Sequence, residues 1–325
     1  MADIVTTREL THAYGNTIAL KALSLHIPEG AVYGFIGPNG AGKTTTMRIL
    51  TTLLLPSSGE AWVAGYPVRD YKAIRKVVGF MPDFFGVYDN MKAWEYLDFF
   101  AAAYDIPRAR RSSMIGELLD LVDLNEKRDA DVMGLSRGMK QRLSLARTMI
   151  HDPALLILDE PASGLDPRAR VELRELLKEL RSMGKTIMIS SHILTELAEM
   201  CTHIGIIERG VLLASGDVAA IMRSLTPHRT FNVHLLSDLD AASEIARQLP
   251  TVLAVRARPE AQPPMLEIDY EGDDQGVSEL LSRLIAGGAA IIHFAGQTNN
   301  LEEIFLKVTG AAASPPPPPP LSMQN

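Results

Sequence analysis

The stretch Gly37-Pro38-Asn39-Gly40-Ala41-Gly42-Lys43-Thr44-Thr45 decides how the rest of this chain is organised. It has the pattern G-x-x-x-x-G-K-T and lies between an apolar segment, Ala31–Ile36, and a helical segment, Thr46–Leu50. Glycines let the backbone wrap around an anion, so that successive N–H groups and the positive helix end point at it. The stretch therefore predicts a nucleoside triphosphate site, in which Lys43 contacts the β- and γ-phosphates and Thr44 ligates Mg²⁺.

The composition is typical of a globular protein with a buried core. Of 325 residues, 46% are hydrophobic and 22% are charged. The single cysteine, Cys201, excludes an internal disulfide and suits a reducing compartment. The N-terminus has no basic segment followed by an apolar one, and no window is apolar enough to cross a bilayer, so we expect neither a secretory signal nor direct membrane insertion. The net charge of −7 disfavours binding of nucleic acid.

A second apolar run, Ala154–Leu158, ends in two carboxylates, Asp159 and Glu160. Such a run is typical of a strand buried on both faces of a parallel sheet. The carboxyl end of that strand would lie in the ligand crevice of an open α/β sheet. We therefore expect Asp159 to hold Mg²⁺, usually through water, and Glu160 to polarise the water that attacks the phosphate. Two acids that merely face solvent are the alternative.

Three further side chains have both a functional and a structural interpretation. His192 follows a buried run, Thr186–Ser191, and would face the same crevice, although a histidine at a strand end is usually structural. Tyr14 lies in the turn-forming stretch Thr11–Asn16, where an aromatic residue is commonly a partly buried anchor. Ser136 is placed to cap the helix that follows it, because its hydroxyl can accept from the first free N–H groups.

Hydrophobic periodicity predicts the remaining elements. In the first part of the chain we expect strands at Ile4–Leu10, Leu20–Ile27, Glu60–Ala64 and Lys76–Met81, a hairpin at Ile204–Ala214, and helices at Met91–Tyr104, Arg108–Lys127 and Arg168–Leu180. In the second part we expect strands at Thr230–Leu236, Val252–Ala257, Met265–Tyr270 and Ile291–Phe294, and helices at Ala241–Gln248, Val277–Ala286 and Leu301–Val308.

The composition changes near Arg223–Pro227, which predicts a domain boundary there. We expect a nucleotide-binding domain at residues 1–226 and a small α+β accessory domain at 227–310, without a catalytic signature. Residues 311–325 contain six consecutive prolines and are expected to form a disordered tail.

In their order along the chain, the motifs resemble those of the nucleotide-binding subunits of ATP-binding cassette (ABC) transporters, over about Ile4–Ala220. The resemblance lies in the phosphate loop Gly37–Thr45, the signature Leu135-Ser136-Arg137-Gly138-Met139-Lys140-Gln141, the strand end Leu155–Glu160, the loop Ser163–Asp166 and the histidine His192. It implies an α/β P-loop NTPase cassette with a mostly parallel core sheet, an antiparallel β subdomain and a helical signature subdomain, followed by the small α+β domain.

The resemblance also implies residue roles. In the family, the tyrosine at the position of Tyr14 stacks on adenine, and the histidine at the position of His192 steadies the γ-phosphate and the attacking water. The signature residues Ser136 and Gly138 would bind the γ-phosphate of ATP held by a partner chain. The active form would therefore be an ATP-dependent head-to-tail homodimer with two ATP molecules and Mg²⁺.

As a function, the resemblance implies an ATPase that powers transport, in the direction of export, through separate permease subunits at the cytoplasmic face of the inner membrane. The aromatic loop Phe84–Tyr88 is the segment that we expect to contact a permease helix, since apolar groups on a loop are either tucked under or offered to a partner. The sequence departs from the family pattern at Arg137, where glycine is common, and at Asp83, where glutamine is usual.

Two other functions would also use such a nucleotide site. A soluble cassette ATPase of the DNA-repair or translation type predicts long coiled-coil insertions or a second cassette in tandem, and this sequence shows neither. A regulatory module that binds nucleotide without hydrolysing it is disfavoured because Lys43, Asp159, Glu160 and His192 are all in place.

Overall fold

The computed structural model describes residues 2–84, 86, 90–193, 197, 200–225, 229–236 and 238–296. Contacts divide the chain into two compact units, Met1–Ile221 and Met222–Asn325. This division lies close to the boundary expected between residues 226 and 227. The roles that the sequence suggests for the two domains stay predictions.

A six-stranded sheet forms the core of the first unit. Its strands, in spatial order, are β11 (Val211–Asp217), β10 (His203–Glu208), β4 (Val32–Ile36), β9 (Thr186–Ser191), β8 (Leu155–Leu158) and β7 (Val78–Met81). The strands from β10 to β7 are parallel, and β11 pairs with β10 in the antiparallel sense. Every residue of β4, β8 and β9 is buried, as expected for strands covered on both faces.

A second, antiparallel sheet packs against the same core. It contains β1 (Asp3–Tyr14), β2 (Thr17–Leu23), β3 (His26–Pro28), β5 (Ser58–Val63) and β6 (Tyr66–Pro67). Leu10, Ile27 and Val63 of this sheet share one buried cluster with Phe35 of β4 and with Met47, so burial of apolar surface joins the two sheets.

The helices of the first unit are α1 (Lys43–Leu50), α2 (Tyr71–Val77), α3 (Ala93–Ala103), α4 (Arg108–Leu121), α5 (Arg137–Met149) and α6 (Pro167–Ser182). A further helix, α7 (Val218–Leu225), follows β11. The helices α3, α4 and α5 contact one another and form a helical subdomain. Within the described ranges, no helix is both long enough and apolar enough to span a bilayer.

The structure confirms the fold class, and several element boundaries differ from expectation. The predicted strand Leu20–Ile27 is two strands, β2 and β3, and the predicted helix Arg108–Lys127 ends at Leu121. The strand β1 continues through His12 to Tyr14, where a turn was predicted, because these residues pair with β2. The register shifts between Leu10 and His12, and Glu9 has a positive φ of 46°, so a bulge interrupts the alternation that would have marked the strand.

The predicted strand Lys76–Met81 is shorter than expected, because Lys76 and Val77 end the helix α2. Asp70 caps that helix: its Oδ1 accepts a 3.1 Å hydrogen bond from the N–H of Ala73. The N-cap signal at Asp70 was present in the sequence, and it outweighs a short apolar run as evidence for a helix.

The second unit contains a four-stranded antiparallel sheet and two helices. The strands, in spatial order, are β13 (Val252–Arg258), β14 (Met265–Tyr270), β12 (Arg229–Leu235) and β15 (Ile291–Gly296), and the helices are α8 (Leu239–Arg247) and α9 (Asp274–Ala286). Val233, Ile268 and Leu280 lie in its buried core. These elements match the predicted ones closely. The predicted helix Leu301–Val308 and the proline-rich tail lie outside the described residues.

Candidate nucleotide-binding site

The carboxyl ends of four parallel strands meet at one edge of the central sheet. In the pairing register, Ile36 of β4 lies beside Ser191 of β9, and Leu158 of β8 lies beside Ile189 of β9 and Met81 of β7. The residues that follow these strands therefore leave the sheet together, and they are Gly37, His192, Asp159 and Asp83. All four had been singled out in the sequence, although they are far apart along the chain.

The phosphate loop requires glycine at specific positions. Gly40 and Gly42 have positive φ values of 80° and 111°, which glycine adopts without strain. A Cβ atom on Gly37 would lie only 2.2 Å from the carbonyl oxygen of Ile207, so the loop also packs closely against the sheet. Gly42 is the N-cap of α1 and has no side chain to cap it, which leaves the first N–H groups of the helix for an anion.

Lys43 is the buried cation of the site, with 6% of its surface exposed. Its Nζ donates a 2.6 Å hydrogen bond to the carbonyl oxygen of Gly37 and lies 3.4 Å from Glu160 Oε1. A buried ammonium group is stabilised only by hydrogen bonds and a counter-charge, and here both come from the site itself. The lysine head is therefore held at the mouth of the phosphate loop.

Asp159 is almost fully buried, and each of its carboxylate oxygens accepts a hydrogen bond. Thr44 Oγ1 donates to Oδ2 at 2.9 Å, and Ser190 Oγ donates to Oδ1 at 2.5 Å. A hydroxyl and a carboxylate side by side are oxygen ligands of the kind that Mg²⁺ prefers. Among the described residues, no group of three or more His, Cys, Asp or Glu side chains is arranged to hold a metal ion.

Glu160 is held by its backbone and by its carboxylate. Its φ is 50°, a left-handed conformation that is costly for a residue other than glycine, and its N–H donates a 2.8 Å hydrogen bond to Ser190 Oγ. Oε2 lies 3.0 Å from Nδ1 of His192, and Oε1 faces Lys43. Ser190, which the sequence reasoning missed, thus orients both acids. In the sequence, Ser190 could have been found as a polar residue at the end of a largely apolar strand.

Asp83 lies near the two acids of β8, and its environment disfavours the charged form. Partial burial raises the pKa of Asp83, and the charges of Asp159 and Glu160 raise it further, while the charge of Arg137 acts in the opposite direction. Together with Asp159 and Glu160, it forms part of the wall of the cleft beside the phosphate loop. At the position where glutamine is usual, this chain therefore places a third carboxyl group beside those of Asp159 and Glu160.

Tyr14 stands at the opposite wall of that cleft, which has a volume of about 350 Å³. Its side chain is 47% exposed and contacts His12 edge to face, with ring centroids 4.7 Å apart. An exposed aromatic face beside a phosphate loop is suited to stacking on a base. The structure thus places Tyr14 where its expected role requires it, and the role itself stays a prediction.

Ser136 and Gly138 line a different cleft, together with the loop at Gly164 and the start of α6. Ser136 Oγ accepts a 3.3 Å hydrogen bond from the N–H of Met139, so the serine caps α5 as predicted. The structure therefore brings the phosphate loop, Asp159, Glu160, His192 and Tyr14 together within one chain, and it leaves the two signature residues at a second surface.

Comparisons with known proteins agree with this geometry. The sequence profile of the ABC transporter family matches residues 20–163. The chain is 37% identical over 230 residues to an uncharacterized ABC transporter ATP-binding protein of Synechocystis sp., with 68% of this chain and 65% of that protein covered. It is 33% identical over 316 residues to the Nod factor export ATP-binding protein I of Cupriavidus metallidurans, with 95% and 98% covered.

Two further comparisons extend this result. The chain is 33% identical over 322 residues to the bacitracin transport ATP-binding protein BcrA of Bacillus licheniformis, with 95% of this chain and 98% of that protein covered. Among solved structures, CbiO1 of Clostridium perfringens, part of the ABC transporter complex CbiONQ, superposes with a TM-score of 0.63 at 26% identity, covering 69% of this chain and 95% of that one.

Proposed function

Because the chain belongs to the family of ABC transporter ATP-binding proteins, we propose that it drives export through separate permease subunits, with Glu160 as the general base of ATP hydrolysis. It is an ATP-binding subunit and a transport ATPase, and the alternative of a cassette not coupled to transport has no support among these relatives. The observation that carries the proposed mechanism is that Lys43, Thr44, Asp159 and Glu160 line one cleft and that His192 lies 3.0 Å from Glu160.

ATP would bind with its base against Tyr14 and its phosphates in the loop. The amides at the start of α1 point into the loop, and Lys43 already lies beside it, so that only the lysine head has to move when the β- and γ-phosphates arrive. The γ-phosphate would displace the Lys43 head from Gly37 and from Glu160. That displacement frees Glu160 for a water molecule.

Thr44 and Asp159 would hold Mg²⁺, which, when bound, neutralises charge on the phosphate oxygens. Glu160 would accept a proton from the attacking water, and His192, at 3.0 Å from Glu160, would keep the carboxylate aimed at that water. Ser190 fixes the backbone of Glu160 and the carboxylate of Asp159 with one hydroxyl. The chain thus supplies positioning and charge, which phosphoryl transfer needs most.

The proposed active form is a head-to-tail homodimer. Ser136 and Gly138 face a separate cleft of about 260 Å³, away from the phosphate loop of their own chain. A second copy could present its ATP to that cleft, so that Ser136 and Gly138 contact phosphate only in the closed dimer. ATP would then favour the closed state by this differential contact, and hydrolysis would remove it.

The proposed docking surface for a permease is a larger groove of about 640 Å³ beside the nucleotide cleft. Its lining combines aromatic and basic side chains with three residues that also line the nucleotide cleft. The lining residues are Thr44, Arg48, Leu53, Phe80, Pro82, Asp83, Phe84, Phe100, Tyr104, Arg147, Thr148, His151 and Asp159. Phe84 is 84% exposed, whereas Phe85, Val87 and Tyr88 of the predicted contact loop lie outside the described residues.

The chemistry of this groove indicates its partner. The Arg147 guanidinium lies 5.1 Å from the centre of the Phe100 ring, and Tyr104 stacks on His151 with centroids 4.0 Å apart. An apolar floor with two arginines fits an amphipathic helix that carries apolar and acidic side chains. Since Asp83, Thr44 and Asp159 line both the groove and the nucleotide cleft, an occupant of the groove would lie next to the phosphates.

Export is proposed over import because similarity to the Nod factor export protein extends over nearly the whole chain. Through its permease, the subunit would work at the cytoplasmic face of the inner membrane.

The proposed function is tested by co-purifying the chain with the permease encoded beside its gene and measuring phosphate release in vesicles. We expect the permease to stimulate hydrolysis, Lys43→Ala to abolish it, and Arg48→Glu to remove the stimulation while the basal rate of the isolated subunit remains. Lys72→Glu, on an exposed face of α2, is the matched charge reversal. A permease that neither binds nor stimulates the subunit would contradict the proposal.

A further inference from the structure

The guanidinium group of Arg137 lies flat against the backbone of Gly164, in the loop that follows Glu160. A Cβ atom built on Gly164 would lie 2.5 Å from Cζ, 2.6 Å from Nη1 and 2.8 Å from Nη2 of Arg137. The three distances are similar, so the face of the guanidinium lies against the side of Gly164 on which a Cβ would stand. Gly164 also has a positive φ of 67°. Only glycine leaves room for this contact and adopts this conformation without strain.

The contact joins two parts of one chain that serve different sites. Arg137 lies between Ser136 and Gly138, at the first turn of α5. A Cβ on Gly138 would be 3.7 Å from Leu165, in ordinary contact with the same loop. One turn further along α5, Arg142 Nη2 lies 3.4 Å from Glu172 Oε2 on α6. The first two turns of α5 therefore pack against the loop that follows Glu160 and against α6.

The loop itself is tied to Glu160 by a short path. The N–H of Ser163 donates a 3.0 Å hydrogen bond to the carbonyl oxygen of Glu160, and the N–H of Leu165 donates to Ala162 at 3.3 Å. Gly164 thus lies in a compact turn whose first residue is Glu160. Two overlapping turns therefore connect Gly164 with Glu160 along the chain.

The charge of Arg137 also reaches the nucleotide cleft. It is the cation whose charge opposes the effect of Asp159 and Glu160 on Asp83. A guanidinium is planar and stays charged while its face packs against another group, whereas a lysine ammonium is a point charge without a flat face.

We propose that Arg137 is a positioning residue, whose guanidinium packs on Gly164 and couples the signature surface at Ser136 and Gly138 to the turn that carries Glu160. This inference rests on the proposed function of Glu160. In the closed dimer, phosphate contact at Ser136 would fix the start of α5. Arg137 would then fix the loop after Glu160 of the same chain, so that occupancy of one site orders the base of the other.

The first test compares Arg137→Ala and Arg137→Lys in the full chain. We expect both variants to lower kcat about tenfold, a change of about 1.4 kcal/mol in activation free energy, while KM for ATP and the melting temperature change little. Lysine restores the charge and not the flat contact, so it should not rescue kcat. Wild-type kcat in Arg137→Ala, or full rescue by Arg137→Lys, would overturn the proposal.

The second test is a double-mutant cycle with Gly164→Ala. The added methyl group would collide with the guanidinium, so Gly164→Ala should lower kcat in the wild-type background and have a much smaller effect in the Arg137→Ala background. Gly184→Ala is the control, because Gly184 has a φ of 84° and no described atom lies within 4 Å of its built Cβ. Gly184→Ala therefore tests only the effect of placing alanine in a left-handed backbone conformation, and it should leave kcat unchanged. Equal effects of Gly164→Ala in both backgrounds would overturn the coupling.

A third measurement separates this inference from the proposed function. If Glu160→Gln keeps wild-type turnover, the assigned role of Glu160 is wrong, whatever Arg137 does. If Glu160→Gln is inactive and the Arg137 cycle shows no coupling, only the positioning role is wrong.

Discussion

Thr44 Oγ1 donates a 2.9 Å hydrogen bond to Asp159 Oδ2, although 115 positions separate the two residues in the chain. Thr44 lies in the first turn of α1, and Asp159 directly follows β8, which lies two places from β4 in the sheet. The bond holds a hydroxyl and a carboxylate at the spacing of neighbouring ligands of one metal ion. This hydrogen bond directly connects the phosphate-loop motif with the acidic residues that follow β8.

The role of Glu160 predicts the behaviour of Glu160→Gln. The amide cannot accept a proton from water, and general-base catalysis is worth about 10²–10⁴ in rate, so turnover should fall by at least about a hundredfold. Nucleotide binding should persist, and ATP should trap a dimer, because the contacts that close it are intact. Phosphate release and light scattering with ATP check this. Glu179→Gln, on an exposed face of α6, should behave as wild type.

A monomeric Glu160→Gln in saturating ATP would contradict the head-to-tail dimer.

The cap at Ser136 predicts two separable effects. Ser136→Ala removes the acceptor for the Met139 N–H and should lower the free energy of unfolding by about 1 kcal/mol. It should also weaken the ATP-dependent dimer, since the serine is proposed to bind the partner's phosphate. Chemical denaturation and light scattering measure the two effects.

Asp70→Ala is the matched variant, because Asp70 caps α2 through Ala73 in the same way. It should lower stability by a similar amount and leave dimerisation intact. Equal dimerisation defects in both variants would assign the effect of Ser136→Ala to stability alone.

The packing of the phosphate loop predicts that alanine substitutions at two of its glycines lower stability and nucleotide binding by different amounts. In Gly37→Ala, the methyl group would lie 2.2 Å from a backbone oxygen, so the loop must shift, at a cost of about 1–3 kcal/mol, and nucleotide binding should be lost. Beyond the adjacent residues, no described atom lies within 4 Å of a Cβ built on Gly40, so Gly40→Ala should cost only about 1–2 kcal/mol for its left-handed conformation and retain most binding. Equilibrium binding of a fluorescent ATP analogue and thermal melting distinguish the two.

The acidic residue at Asp83 predicts an unusual dependence on Mg²⁺. Burial raises the pKa of Asp83, and the charges of Asp159 and Glu160 raise it further, so the three acids repel one another. Asp83→Asn should therefore strengthen ATP binding several-fold in EDTA, since one unit charge near the phosphates is removed, and reduce the gain from added Mg²⁺. Calorimetry with and without Mg²⁺ measures both constants, and Asp129→Asn, at the surface, should change neither. Weaker binding of Asp83→Asn in EDTA would contradict this electrostatic account.

His151 predicts a loss of stability at mildly acidic pH. Burial lowers the pKa of His151 below its ordinary value of 6.5, against the raising effect of its hydrogen bond to Val78. Nε2 lies 3.0 Å from the Val78 oxygen, and buried Nδ1 has no hydrogen-bond partner among the described residues, so protonation would create an unsatisfied donor.

As the pH falls below 6.5, the unfolded chain takes up this proton before the folded chain does. The free energy of unfolding should therefore be fully retained above that pH and decrease below it. His151→Phe keeps a ring to stack on Tyr104 and should remove this part of the pH dependence, measured by denaturation across the range. An unchanged difference between wild type and variant at all pH values would contradict it.

Much of the site could be predicted from the sequence. The glycine loop, its lysine and threonine, and the two acids after Leu158 are recognisable because each lies within a short segment with its own strand or helix signal. The ends of β1 and α2 could not be predicted in this way. The bulge at Glu9 interrupts the alternation of apolar residues, so the pattern did not predict that β1 continues to Tyr14. The predicted strand Lys76–Met81 included two residues that belong to the end of α2, the helix that Asp70 caps.

The amino-acid sequence by itself determined the phosphate loop, the acidic strand end and the capped signature helix, because local spacing and backbone preference specify such features. Only the tertiary structure decided which groups meet: Ser190 between two acids, Lys43 against Glu160, and Arg137 against Gly164. These contacts arise from the register of parallel strands and from close packing between distant segments, and no periodicity within one segment encodes them.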